Sequence, residues 1–298
     1  MSKTAKKDVP VVAIVNMKGG VGKTTISAHV FREFYKNTQK NILLIDLDPQ
    51  FNLTQTVVDA KKYEKLKLEK KTILSVMESP HETSLFETHE HDGDVPPASN
   101  VTILLKYLQS SDEKKTTLAK LDLVPGDFNL CKFSLMDDKK VLELAARRFE
   151  DFITKAKEEY DLICIDCNPS SSFLNVCALK NASHLLIPVR PDRYSMLGLR
   201  LLDNFVNEFK GLVTKPKKIV VLNGIPTTKY DPIVENELRS DPIYGPITLA
   251  TALHISKLLV ASPDYTGFAT DRRVAYSKSL RARMSSLTSE LAAALGIK

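Results

Sequence analysis

Five short apolar runs, rich in β-branched residues, punctuate the chain: 11–15 (VVAIV), 42–45 (ILLI), 162–165 (LICI), 185–189 (LLIPV) and 219–222 (IVVL). None alternates with polar residues, so each predicts a strand with both faces covered rather than one facing water. A sixth run at 121–124 (LDLV) predicts a further, weaker strand. Between them the apolar positions change to helical spacing. Ile26, Val30, Phe31, Phe34 and Tyr35 fall on one face, as do Val141, Leu144, Ala145, Phe149, Phe152, Ile153 and Ala156. Leu197, Leu201, Leu202, Phe205 and Phe209 make a third stripe, also expected to face the core. Strand and helix in alternation predict an α/β fold, doubly wound around a mostly parallel sheet.

Residues 60–120 break the rhythm. Residues 61–71 (KKYEKLKLEKK) are lysine-dense, and 81–100 (HETSLFETHEHDGDVPPASN) are polar and rich in turn formers, which predicts a loop. The expected organisation is a flexible lead at 1–9 and one domain over 10–298 that carries this excursion. No internal repeat is visible.

Composition narrows the class. A hydrophobic fraction of 43% and a charged fraction of 26% are those of a water-soluble globular chain. No window approaches the roughly 18 consecutive apolar residues of a membrane span. The polar, basic start MSKTAKKDVP lacks the apolar stretch of a secretory signal. Four cysteines in 298 residues predict free thiols and a cytoplasmic location rather than a disulfide scaffold. The net charge of +6 permits contact with an anionic polymer without requiring it.

The chemistry begins after the first strand. VVAIVNMKGGVGKTTISAHV reads as strand, glycine-rich loop and helix, the context in which a phosphate-binding loop functions. Gly19, Gly20 and Gly22 let backbone N–H groups approach phosphate oxygens, with Val21 between them and Thr25 just beyond. Lys23 is placed to reach the β- and γ-phosphates and Thr24 to hold Mg²⁺ through its hydroxyl. Two other strands end in acid, at Asp46 and Asp48 and at Asp166. The carboxyl ends of parallel strands are where such sheets bind ligands, and carboxylates there can order a magnesium ion. The usual loop pattern puts a glycine at position 17, where this chain has Met17 followed by a second lysine, Lys18.

The segments KGGVGKTT, DLDPQ and YDLICIDCNPS resemble the ParA/MinD superfamily of P-loop NTPases with a deviant Walker A loop, and most of all its ParA branch. LDLVPGDFNL and LLIPVRPDRYSMLGL add to the likeness, which runs from about residue 10 to 230. The resemblance implies a partition or cargo-positioning ATPase that cycles between ATP and ADP with Mg²⁺. It implies an ATP-dependent homodimer that binds nonspecific DNA, with hydrolysis stimulated by a ParB-like or other adaptor protein. It makes Lys18 the signature lysine that crosses to the partner's nucleotide, Lys23 the phosphate lysine in cis and Thr24 a magnesium ligand. Asp48 matches the residue that positions the attacking water near the metal, Asp166 the Walker B aspartate, and Asn223 a position that reads adenine. One departure is Asn168 before Pro169, where the family often has two prolines.

The C-terminal third is basic. Arg272, Arg273, Lys278, Arg281 and Arg283 stand against Asp271 and are the candidate DNA contacts, a reading carried mainly by the resemblance. The alternative is the membrane-associated MinD type, in which a C-terminal amphipathic helix lies on the bilayer. Here Leu287, Leu291 and Leu295 form an apolar stripe without an aromatic anchor, so the helix is expected to pack on the domain and no membrane contact is expected. Cys164 and Cys167 are three apart at a strand, hence on opposite faces, and do not form a metal pair. His89, His91, Asp92 and Asp94 are read as a polar loop rather than a metal site.

Overall fold

The computed structural model describes residues 8–78, 93–109, 119–170, 172–260 and 265–297. Its sheet has eight strands: β1 (Val11–Ile14), β2 (Ile42–Asp46), β3 (Ile103–Leu108), β4 (Ala119–Val124), β5 (Leu162–Asp166), β6 (His184–Val189), β7 (Lys217–Ile225) and β8 (Leu253–His254). The spatial order is β3-β4-β2-β5-β1-β6-β7-β8. Every neighbouring pair is parallel except the antiparallel edge pair β3–β4. All six apolar runs are strands of this sheet, and the doubly wound, mostly parallel α/β fold is the one expected.

Two apolar layers sandwich the sheet because each central strand is apolar on both sides. One layer packs Ala145, Phe149 and Phe152 of the helix Lys139–Glu159, Leu174 and Ala178 of the helix Phe173–Asn181, and Leu199, Leu202 and Val206 of the helix Ser195–Glu208. The other packs Phe31 and Phe34 of the helix Phe31–Thr38 against Met284, Leu287 and Leu291 of the helix Ser277–Ala294. The C-terminal leucine stripe is therefore spent on the core, as expected. Among the described residues no helix is long and apolar enough to cross a membrane.

The excursion at 60–120 contains the helices Ala60–Leu68, Ile73–Met77 and Ala98–Val101 and the edge strand β3, so helix reaches into the end of the stretch at 81–100 expected to be loop. Asp59 caps the first of these, accepting from the Lys62 N–H at 2.9 Å, and Tyr63 and Leu66 turn inward at a three-residue spacing. The buried Arg148 joins the excursion to the long helix by donating from Nε to the Val76 carbonyl at 3.0 Å and from its terminal nitrogens to the Ser75 and Gly93 carbonyls. β3 escapes a reading for buried strands because it is a half-exposed edge, with Leu104 and Tyr107 each 53% exposed. Of the polar stretch at 81–100, residues 81–92, with His89, His91 and Asp92, lie outside the described residues. The third stripe needs correction. Ser195, Leu199, Leu202 and Val206 form the buried face, whereas Leu197 and Leu201 are 56% and 52% exposed. Counting apolar residues at helical spacing selected a face that straddles the two sides of the helix.

Candidate functional site

The order in which strands are added to the sheet reverses at β1. The strand after it lies on one side of it in the sheet and those after β6 on the other, so a crevice opens beyond the carboxyl end of β1. The phosphate loop fills that crevice. Gly20 and Gly22 have φ of +71° and +92°, in the left-handed region that a side chain disfavours. At Gly22 a Cβ would also collide with the Asn223 amide. The helix begins at Lys23 and widens into a π-helical turn over Ile26–Val30 before continuing as Phe31–Thr38.

Lys23, 7% exposed, lays its ammonium against the Asn16 and Lys18 carbonyls, each at 3.3 Å, so the start of the loop is tied to the cation at its end. Burial lowers its pKa, and Asp166 and Asp48 oppose that shift. Asp166 accepts from Thr24 Oγ1 at 2.9 Å and from Ser27 Oγ at 2.7 Å. Parallel pairing of β2 and β5 sets Asp46 directly beside it. Asp46 is fully buried and its Oδ2 accepts from the Thr54 N–H at 2.8 Å and from Thr54 Oγ1 at 2.7 Å. Burial raises the Asp166 carboxyl to about 6, with the two hydroxyl donors holding it down. Burial, then the Asp166 charge, raise Asp46 well above the usual carboxylate range. Asp48 is raised by burial as well, and its Oδ1 accepts from the Gln50 N–H at 2.9 Å.

Adjacent buried carboxylates at a hydroxyl are an oxygen donor set of the kind a small hard cation takes, and a divalent charge there would offset their mutual repulsion. The residues present thus fit a magnesium ion, which Thr24 and Asp166 would hold with Asp48 nearby.

A cavity of about 650 Å³ opens from this point. Gly19, Gly20, Gly22, Lys23, Thr24, Thr25 and Asp48 all line it, so the structure brings most of the expected residues together. Val21 is buried and turns its carbonyl to the Asn223 amide, 2.7 Å away. Asn223 is thereby committed to the loop backbone and does not line the cavity. Lys18 does not line it either: its ammonium forms an ion pair with Asp192 and lies 5.9 Å from the centre of the Tyr194 ring. Of the C-terminal cations, Arg272 stands in the cavity wall, stacked 4.8 Å over Tyr265. Arg283 pairs with His254, Arg281 reaches Ser277 Oγ at 3.4 Å, and Arg273 and Lys278 are exposed.

Several site residues escaped the sequence reading. Ser27 carries a weak signal, one helical turn after Thr24. Thr54, which orders Asp46, and His29, whose Nδ1 accepts from the Ala269 N–H at 3.2 Å at the cavity margin, carry none. The far wall, Leu258, Leu259 and Val260 with Tyr265, Thr266 and Gly267, comes from a region where no motif was legible. Cys164 and Cys167 are buried in opposite apolar layers, as the strand period predicts. Among the described residues no group of three or more His, Cys, Asp or Glu side chains is placed to hold a metal.

The AAA domain family matches residues 9–219 of the chain. The sporulation initiation inhibitor protein Soj of Bacillus subtilis is 30% identical over 198 residues, covering 66% of this chain. The chain spans 64% of Soj, slightly less than two thirds. A putative plasmid partition protein from Borrelia burgdorferi, solved bound to AMPPNP, has the same fold with a TM-score of 0.67 at 17% identity, covering 95% of this chain and 100% of that one. A pNOB8 ParA, solved bound to nonspecific DNA, superposes with a TM-score of 0.64 at 18% identity, covering 97% and 99%. The phosphate loop, the paired strand-end acids and the family match agree: this chain belongs to the AAA domain family, as a P-loop protein of the ParA type.

Proposed function

We propose that the protein is an ATP-hydrolysing switch that dimerises on ATP, binds DNA without sequence preference as that dimer, and drives partition of a plasmid or chromosome or positions another cargo. The observation that carries the reading is that Lys23, Thr24 and Asp48 line one cavity, with the buried Asp166 held behind Thr24 by its hydroxyl, while Lys18 of the same loop lies outside it. Lys23 and the loop N–H groups would bind the β- and γ-phosphates, and Thr24 and Asp166 would hold magnesium. Bound there, magnesium supplies charge neutralisation for a phosphoryl group whose transition state needs little covalent help. Asp48 borders the cavity and would orient the attacking water. A raised carboxyl at that position favours holding a proton at the moment it leaves the water.

Lys18 would leave Asp192 and reach the nucleotide of a second copy, so that hydrolysis depends on dimerisation as it does with an arginine finger supplied in trans. Loss of the γ-phosphate would then undo dimer and DNA affinity together. The plasmid partition protein of Borrelia burgdorferi and the pNOB8 ParA bound to nonspecific DNA, which share this fold, support the reading. A ParB-like or other adaptor that stimulates hydrolysis completes it.

The test is sedimentation of wild type and Lys18→Ala with ATP or ADP, beside binding to DNA and to anionic vesicles at two salt concentrations. Lys18→Ala is expected to keep ADP binding and lose the ATP dimer. A variant that dimerises with ATP at the wild-type concentration sinks the role of Lys18, and ATP-dependent binding to vesicles without DNA binding sinks the DNA reading.

A further inference from the structure

We propose that the lysine-rich helix Ala60–Leu68 and the exposed C-terminal cations Arg273 and Lys278 form one basic band that lies along a DNA phosphate backbone. This inference rests on the DNA reading above and assigns part of its contact surface to a segment outside the phosphate-loop and strand-end motifs.

Residues 60–71 hold six lysines against two glutamates, a net +4 in a chain whose net charge is +6. Glu69 takes up two of the lysines, pairing with Lys65 at 3.6 Å and Lys71 at 2.8 Å. Lys61, Lys62 and Lys67 are exposed and have no carboxylate partner among the described residues. A cluster of unneutralised cations costs self-repulsion in the free protein, which an anionic polymer would relieve by displacing its own counterions.

The helix that carries them is fixed. Tyr63 stacks on Phe51 with ring centres 4.8 Å apart and donates to the Gly126 carbonyl at 3.3 Å, and Leu66 is buried. The cations thus stand on a preformed scaffold, which reduces the ordering cost of binding.

The band is continuous with the C-terminus. Tyr63 and Leu66 belong to the same apolar layer as Met284 and Leu287 of the helix Ser277–Ala294, so both basic segments lie on one face of the sheet. The Gly267 N–H donates to the Thr56 carbonyl at 2.8 Å, joining the C-terminal segment to the helix Asn52–Val57 that precedes the lysine helix. Asp271, the acid at the head of the C-terminal run, is neutralised internally by Arg32 at 2.6 Å and Lys106 at 2.7 Å. Arg273 follows two residues later and is exposed.

The same path reaches the nucleotide. Gln50, Asn52, Gln55 and Thr56 line the nucleotide cavity and lead directly into the lysine helix. A change at the γ-phosphate would therefore bear on the placement of the band. Phosphodiester backbone is favoured over a bilayer because the helix turns its apolar face inward, leaving only Leu68 largely outside, at 84% exposure.

The experiment compares wild type, Lys61→Ala/Lys62→Ala/Lys67→Ala and the corresponding triple arginine variant for ATP-dependent binding to random-sequence duplex DNA over a salt series. A second triple, Lys139→Ala/Lys140→Ala/Lys180→Ala, removes the same charge from exposed positions on helices of the opposite layer. Each lost phosphate contact lowers the slope of log affinity against log salt by about 0.9, equivalent to about eightfold in affinity at 0.1 M salt. The alanine triple is expected to lower the slope by about 2 to 3, with nucleotide binding and the ATP dimer retained, and the arginine triple to keep the wild-type slope. An unchanged slope in the alanine triple overturns the proposal. So does an equal loss in the opposite-layer triple, which would make net charge the only cause, and so does a loss of anionic-vesicle binding alone. If wild type itself fails to bind DNA with ATP, the DNA reading falls and takes the band with it, a result separable from failure of the band alone.

Discussion

Replacing Asp166 by asparagine should stabilise the nucleotide-free protein while disabling it. Asp166 is 1% exposed and stands beside the fully buried Asp46 across the β2–β5 pairing. Burial raises its carboxyl from 3.8 to about 6, and a shift of that size corresponds to about 3 kcal/mol of stability withheld when the group is ionised. The unfolded chain gives up its proton near 3.8 and the folded chain near 6. The cost is therefore complete above pH 6, shrinks as pH falls from 6 towards 3.8, and is absent below that. Asparagine removes the charge and keeps an acceptor for one of the Thr24 and Ser27 hydroxyls, which donate to different carboxylate oxygens, while its NH2 faces the other hydroxyl as a donor.

Urea unfolding in EDTA should show Asp166→Asn more stable than wild type by about 2 to 3 kcal/mol at pH 8, with the difference fading towards pH 4. Asp46→Asn should capture part of the same gain, and the double variant should fall short of the sum because the Asp166 charge is one of the causes that raise Asp46. Titration with ATP should show the magnesium-dependent part of nucleotide affinity lost in Asp166→Asn. A variant no more stable than wild type at pH 8, or one whose advantage is the same at pH 4, would refute the view that these buried acids are held at a cost for the cation.

Other residues make equally direct claims. Gly22→Ala should cost about 1 to 3 kcal/mol of stability, the usual penalty for a strained backbone conformation, and at least tenfold in nucleotide affinity, read by denaturation and ATP titration. His29 is held neutral by burial, its pKa lowered from 6.5 to about 4, so its contribution is unfavourable below pH 6.5 and reaches about 3 kcal/mol by pH 4. His29→Gln should flatten the fall in stability between those values relative to wild type, and an unchanged pH profile would show that the imidazole does not titrate as its surroundings require. Leu201→Glu alters a residue that is 52% exposed and should change stability by no more than about 0.5 kcal/mol. It should weaken the ATP dimer, measured by sedimentation, because that helix begins beside the Asp192 that holds Lys18.

The central strands were legible because each is apolar along its whole length, a pattern forced on any strand covered on both faces. The phosphate loop was legible because glycines, lysine and threonine must stand at fixed spacing between a strand and a helix to surround an anion. Both are local constraints, written within some twenty residues. β3 was not legible, since a half-exposed edge strand places weaker demands on its sequence. The exposed Leu197 and Leu201 were misjudged because helical spacing locates an apolar face without saying whether the core or another surface meets it. The pairing of Asp46 with Asp166, residues 120 positions apart, depends on β2 and β5 becoming neighbours in register. Only the folded sheet could decide that, and with it the proton affinities of the site. The same holds for Lys18 on Asp192, Asn223 on the Val21 carbonyl and the C-terminal wall of the cavity. The sequence alone determined which residues can bind phosphate, because that chemistry is local; the tertiary structure decided which charges face one another, because electrostatics depends on distance through space and on burial.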